Sequence, residues 1–155
     1  MVILQDSREQ RPFAFTGYDA CVVVEGLPSA DYSLPGFQDR VGIERKAVDD
    51  LIACMMGENR VRFSKELRRL STYDLAVVVV EASMEDISQH RYRSDMRPHA
   101  VLQSVLAMQV RHKVPFLWCG NRVGAEYVTF WTLAKFMREV EERFKAATKG
   151  QERAA

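Results

Sequence analysis

Residues 31–50, DYSLPGFQDRVGIERKAVDD, carry the reading on which the fold turns. Asp31 to Leu34 and Arg40 to Lys46 read as two arms of a hairpin, and Pro35-Gly36-Phe37-Gln38-Asp39 gathers the turn formers between them. A loop centred near Phe37 and Gln38 sets Leu34 opposite Val41 and Asp31 opposite Glu44. Side chains alternate along a strand, so Glu44 and Lys46 share one face and Arg45 takes the other. Directly opposed residues lie about 5 Å apart at Cβ. Two carboxylates and an ammonium are therefore expected to converge on one patch.

Working outward, Val2-Ile3-Leu4 reads as a short buried strand that delivers Asp6, Arg8 and Glu9 to its end, and Cys21 to Glu25 (CVVVE) as a β-branched strand. Downstream, Ala47 to Met56 reads as a helix, Gly57 interrupts it, and a second helix runs from Glu58 to Ser71 with Phe63, Leu67 and Leu70 at helical spacing. Leu75 to Val80 (LAVVVV) is too apolar to have a solvent face, which suits a central strand covered on both sides. A short helix over Met84–Gln89, a basic loop, a helix from Pro98 to His112, a strand Pro115–Cys119 and a final helix over about Gly124–Lys145 follow. The alternation of strands and helices after an initial meander implies an α/β fold, with a mixed central sheet and helices on both faces.

A chain of 155 residues suits one domain, here 1–147, with 148–155 expected as a disordered tail. No apolar run approaches the about 20 residues of a membrane helix, and the opening residues do not read as a signal peptide, so a cytoplasmic location is expected. Three cysteines, odd in number and without a C-x-x-C pair, read as buried reduced thiols in apolar surroundings. The net charge of +1 excludes a generic polyanion binder, so any nucleic-acid surface must be a local cluster.

The patch of Asp31, Glu44 and Lys46 suits phosphodiester hydrolysis. Two carboxylates hold Mg²⁺ or Mn²⁺ through hard oxygen ligands and leave positions open for water and a phosphate oxygen. The lysine orients the attacking water or stabilises the transition state. Asp6 is a candidate further metal ligand. Arg45, on the opposite face, braces an acidic partner such as Glu9 or Asp50, or holds a phosphate.

These residues resemble the XPF-type family of structure-specific endonucleases, whose nuclease domain carries a G-D … E-R-K-x-x-x-D motif. The matching residues are Ala30-Asp31, then Glu44-Arg45-Lys46 and Asp50, and Asp6-Ser7-Arg8-Glu9 resembles the family's D-x-R-E element. The likeness spans residues 2–145. It implies a restriction-endonuclease-like core, catalytic roles for Asp31, Glu44, Lys46 and Arg45, support from Arg8, Glu9 and Asp50, and cleavage of branched or flapped DNA. One departure is Ala30 in place of the motif's glycine, which is tolerated unless the backbone there needs a positive φ. A second is that the sequence holds no helix-hairpin-helix domain after the nuclease, as in compact phage or prophage versions, in which case the protein would be nucleoid-associated.

For DNA contact the candidates are Arg60, Arg62 and Lys65 on one helix, where Arg68 and Arg69 add charge and Glu58 and Glu66 temper it, and Arg91, Tyr92, Arg93 and Arg97 in the basic loop. Arginines with an interleaved aromatic suit phosphates and exposed bases. His90, His99 and His112 show no metal-ligand spacing. The aromatic stripe of the last helix (Tyr127, Phe130, Trp131, Phe136) extends around more than one face, which points to a homodimer, and a separate DNA-binding partner is the other way to supply the missing surface. The alternative is a non-catalytic DNA-binding or partner subunit of a nuclease heterodimer, although such relatives usually lose the acidic and lysine residues kept here.

Overall fold

The computed structural model describes residues 1–154, with side chains through residue 149. Six strands form one sheet in the order β2-β1-β3-β4-β5-β6: β1 (Val2–Asp6), β2 (Cys21–Glu25), β3 (Tyr32–Ser33), β4 (Val41–Lys46), β5 (Leu75–Val80) and β6 (Phe116–Trp118). β1 is parallel to β2 and antiparallel to β3, which is in turn antiparallel to β4, while β4, β5 and β6 run parallel. The sheet is mixed, with helices on both faces, as expected.

The alternation along β5 shows why. Ala76, Val78 and Val80 join a core with Leu51 and Met55 of α1 (Val48–Ala53) and its end, Phe63, Leu67 and Leu70 of α2 (Gly57–Leu70), and Val105 and Met108 of α4 (Pro98–His112). Val77 and Val79 point the other way, onto Ala125, Phe130 and Leu133 of α5 (Arg122–Ala154). Burying both faces removes any solvent-side position, so the strand is apolar throughout. Between them, α3 (Met84–Ser88) is closed by a capping box in which Ser83 and Asp86 satisfy each other's backbone N–H groups.

The hairpin takes the expected register, with Tyr32 opposite Ile43. Its first arm is shorter than expected, and Asp31 lies one residue before β3. Ala30, just ahead, sits at φ +69°, the left-handed region that favours glycine. The position therefore does call for a glycine-like backbone, and this chain carries alanine there at a steric cost.

Helix α5 outruns its expected end near Lys145. No breaker intervenes before Gly150, and the Arg138–Glu142 and Glu139–Arg143 pairs, both at i,i+4, support an exposed helix with little to bury. The expected tail, 148–155, overlaps this helix as far as Ala154, and Ala155 lies outside the described residues. The cysteines are free, but none is fully buried: Cys21, on edge strand β2, is exposed, and Cys54 and Cys119 are half-buried. Among the described residues, no helix is long and apolar enough to cross a membrane.

Candidate active site

The end of β4 holds the acid pair. Glu44 and Lys46 share the face of their β5 neighbours Val78 and Val80, toward α2. Glu44 is only 3% exposed, and Lys46 Nζ donates a hydrogen bond to its Oε1. Asp31 reaches the same strand from the other arm, its Oδ2 accepting the Arg45 backbone N–H at 2.7 Å. Burial, reinforced by the negative charge of Asp31, pushes the Glu44 carboxyl up to about 8 against the pull of Lys46. Burial likewise pushes Asp31 up to about 6, with the charges of Glu9 and Glu66 adding to it, although the Arg45 N–H and Lys46 favour the carboxylate. Burial works against the Lys46 charge, but Glu44 holds the ammonium well above its ordinary range.

The opposite face of β4 is a sealed ion cluster. Arg45, 7% exposed, donates to both Glu9 oxygens at 3.0 and 3.1 Å and to Glu81 Oε1 at 3.1 Å. Arg122, at the start of α5, meets the same Glu81 oxygen at 2.9 Å and caps the Arg11 and Pro12 carbonyls. Burial raises the Glu9 carboxyl, but the Arg45 hydrogen bonds and charge outweigh it and hold it below the ordinary range. Of the roles expected for Arg45, the contacts match the brace on Glu9; the side chain is aimed away from Asp31 and Glu44, and both its ends are occupied.

Asp6, the candidate further metal ligand, is already engaged within the fold. Its backbone N–H donates to the Asp31 carbonyl at 2.8 Å, which steadies the site. Its carboxylate, however, accepts from the Arg8 backbone and guanidinium, and although burial raises it, these bonds hold it below its ordinary value. Asp50 lies exposed in the first turn of α1, without a side-chain hydrogen bond among the described residues. It is Asp49 that makes contacts, to the Arg93 backbone N–H at 3.0 Å and the Arg93 guanidinium at 3.6 Å.

Between β4 and α2 lies a cleft of about 350 Å³, lined by Arg8, Lys46, Cys54, Asn59, Arg62, Phe63, Glu66 and Arg69. Two larger, mainly apolar depressions of about 510 and 600 Å³ run along α5, lined by residues that include Leu75, Tyr127 and Trp131 or Met1, Ala134 and Met137. Neither contains Lys46, which lines the smaller, polar cleft.

The expected DNA-contact residues divide. Arg62 lines the cleft and Lys65 is exposed beside it, whereas Arg60 turns back onto the Met55 carbonyl at 3.0 Å. Arg91 pairs with Asp86 at 2.9 Å, and Arg97 is exposed at the N-cap of α4. Tyr92 does not present a free ring. It packs against the cluster of Ile52, Ile87 and Val101, donates its hydroxyl to the Met96 carbonyl at 2.6 Å, and stacks on His90.

Sequence reading missed Glu81 and Arg122 in the ion cluster and undervalued Glu66 and Arg69. A charge directly following an all-apolar parallel strand is a signal for Glu81. Nothing local marks Arg122, which reaches the cluster only through the packing of α5.

Among the described residues, no three His, Cys, Asp or Glu side chains cluster as a ready-made metal centre. The donor set is the pair Asp31, half-buried, and Glu44, buried, whose carboxyls are raised chiefly by burial and further by neighbouring acids. Hard oxygens in that state fit a divalent cation.

A mixed six-stranded sheet with an acid pair and a lysine at the end of one of its central strands defines a restriction-endonuclease-like α/β core. The chain belongs to the ERCC4 domain family, whose match covers residues 5–129. It is similar in fold to XPF from Aeropyrum pernix, with a TM-score of 0.71 at 19% identity over 94% of this chain and 69% of that one. A structure described as that protein in complex with DNA gives 0.68 at 22% identity over 89% of this chain and 65% of the other. The chain thus spans about two thirds of these structures. No curated protein sequence matches it.

Proposed function

We propose that this protein is an endonuclease that hydrolyses phosphodiester bonds in branched or flapped DNA with Mg²⁺ or Mn²⁺. The observation that carries the reading is the pair Asp31 and Glu44, held together at the end of β4 beside Lys46, which lines a polar cleft, with carboxyls at about 6 and about 8. Such a pair is poised to exchange protons for a cation. Asp31 and Glu44 would hold it; when bound, it supplies a Lewis acid and an acidified water. Lys46, kept charged by Glu44, faces the incoming phosphate and offsets negative charge developing there. The Arg45 N–H and the Asp6 N–H fix Asp31 from both sides. Arg62 on the cleft wall, with Lys65 exposed three positions on and Arg97 exposed at the start of α4, supplies charge for the DNA backbone. The family and the DNA-bound structural neighbour support this reading.

The exposed Tyr127 and Trp131, beside the apolar depression on α5, are proposed to cover a second copy of the chain. The acting nuclease is then a homodimer, located in the cytoplasm.

The test is cleavage of end-labelled flap, splayed-arm, four-way-junction and plain duplex DNA with Mg²⁺, Mn²⁺ or EDTA, comparing wild type with Glu44→Ala. Metal-dependent cutting of the branched substrates, abolished in the variant, is expected. Full activity in Glu44→Ala or in EDTA would refute it. Cuts at fixed sites in plain duplex would point instead to a restriction-type enzyme.

A further inference from the structure

The wall of the cleft on α2 is a stripe in which Asn59, Arg62, Phe63, Glu66 and Arg69 recur at helical spacing, and Arg8 and Lys46 close it from the sheet side. Four cations thus face one half-buried carboxylate, Glu66. A lining of this sign suits an anion, and many of its donors are unoccupied. Arg69 uses Nε on Ser29 Oγ at 2.8 Å, whereas a guanidinium carries five N–H donors. Arg62 Nη2 lies 3.8 Å from Glu58, beyond a hydrogen bond. Lys46 Nζ donates to Glu44, and Arg8 keeps Nη1 after bonding Asp6 and the Leu27 carbonyl. Asn59 adds an exposed amide. The Ser29 bond also fixes where Arg69 stands. Ser29 is 2% exposed and precedes Asp31 by two residues, so Arg69 lines the cleft while tied to the segment that brings Asp31 to β4.

We propose that this cleft is a phosphate subsite for the DNA strand, in which Arg62 and Arg69 grip a phosphate from α2 while Arg8 and Lys46 meet it from the sheet. Guanidinium forks match two phosphate oxygens at once. Phe63, 3% exposed, gives the cleft an apolar side, with Lys46 Nζ 5.1 Å from its ring centroid, and a low local dielectric strengthens such bonds. Because Ser29 ties Arg69 to the Asp31 segment, a phosphate seated here is held in register with the acid pair. Glu66 is the group in the lining that opposes an anion, so its removal tightens binding, the reverse of what a cation site requires. The inference rests on the DNA-acting reading of the protein.

The test is a fluorescence-anisotropy titration of labelled flap DNA in EDTA at several salt concentrations, using wild type, Arg69→Gln, Arg62→Gln, Glu66→Gln and Arg68→Gln, with thermal unfolding to verify that each variant is folded. Arg69→Gln and Arg62→Gln are each expected to weaken binding about 10-fold and to reduce the slope of log affinity against log salt by about 1. Glu66→Gln is expected to tighten binding about 3-fold. Arg68→Gln, on α2 but outside the cleft lining, should leave it unchanged. Flaps with 5′-phosphate and 5′-hydroxyl ends separate the two sources of the group: equal affinity assigns an internal phosphodiester, and weaker binding of the hydroxyl form assigns a strand end. An equal loss in Arg68→Gln and Arg69→Gln, or no tightening in Glu66→Gln, overturns the subsite alone, provided that wild type binds and cuts the flap. A wild type that binds no flap DNA overturns it together with the DNA-acting reading.

Discussion

Replacing Arg45 by methionine tests whether this residue is a brace or a catalytic group. The substitution keeps most of the volume and removes the charge. The guanidinium, the Glu9 carboxylate and the Glu81 carboxylate have side-chain exposures of 6, 5 and 9%, so the two acids left behind have almost no water to turn to. Glu81 keeps Arg122 at 2.9 Å. Glu9 keeps only the Arg11 backbone N–H at 2.6 Å, so one buried carboxylate is orphaned rather than two. Removing one partner of a buried ion pair costs about 3–5 kcal/mol, and the surviving Arg122 contact places this case near the lower end, about 3 kcal/mol at pH 7.5.

The pH dependence makes the assignment sharp. In wild type, Glu9 is held below its ordinary value, so its contribution is present above pH 4.5 and is lost as pH falls through the folded-state value. Without Arg45, burial alone acts on Glu9 and raises it, so protonation relieves the variant as pH falls. The deficit should shrink from about 3 kcal/mol at pH 7.5 to about half that at pH 4.5. Urea unfolding in EDTA at both pH values measures it. Adding Glu9→Gln should recover at least about 1 kcal/mol as coupling in a double-mutant cycle. A deficit below 1 kcal/mol, or one that does not vary with pH, would refute the brace.

Three further outcomes are expected. A Cβ added at Gly42 would lie 3.0 Å from Ala30 Cβ, 3.1 Å from Leu70 Cδ2 and 3.2 Å from Tyr73 Cε2. Ala30 is already strained at φ +69°, so Gly42→Ala should cost about 1–3 kcal/mol in urea unfolding. Tyr92→Phe removes the hydroxyl bond to the Met96 carbonyl and should cost about 1 kcal/mol while leaving flap-DNA affinity unchanged in a fluorescence titration; a large loss of affinity would restore the stacking role. For Glu44 the folded value of about 8 exceeds the ordinary 4.5, so between them the native state binds the extra proton and metal-free stability falls as pH rises. Measured in EDTA, wild type should lose stability relative to Glu44→Gln from pH 5 to pH 8.5, and a constant difference would contradict the burial argument.

Much of the fold was legible because its signals are local and periodic. LAVVVV announced a strand covered on both faces, Pro98 placed the start of α4, and the turn around Phe37 fixed the hairpin register that brings Asp31 to Glu44. The same alternation separated Arg45 from Glu44 and Lys46. What was not legible depends on partners distant in sequence. Arg122 reaches Glu81 across 41 positions, and Arg45 reaches Glu9 and Glu81 across 36 each; spacing along the chain does not report such pairs. Nor does it report the partners that Asp6 and Tyr92 take in the fold. Their residue types suit metal and bases, but Arg8 and the Met96 carbonyl already occupy their polar ends.

One strand thus carries two opposite electrostatic arrangements on its two faces. Toward α5, Glu9 and Glu81 meet Arg45 and Arg122, so two acids face two bases and the cluster is neutral without help. Its effect is visible in Glu9, held below the ordinary carboxyl range in spite of burial. Toward α2, Asp31 and Glu44 share Lys46. The effect there is the reverse, with the carboxyls pushed up to about 6 and about 8. Burial is the first cause on both faces; at Glu9 the Arg45 hydrogen bonds and charge outweigh it, and at Asp31 and Glu44 the single Lys46 does not. A balanced cluster needs nothing more and serves to fix the strand, whereas an unbalanced one must take up protons or a cation. The α2 face is therefore the one built to bind, and the α5 face, through the Arg45 N–H on Asp31, keeps it in register.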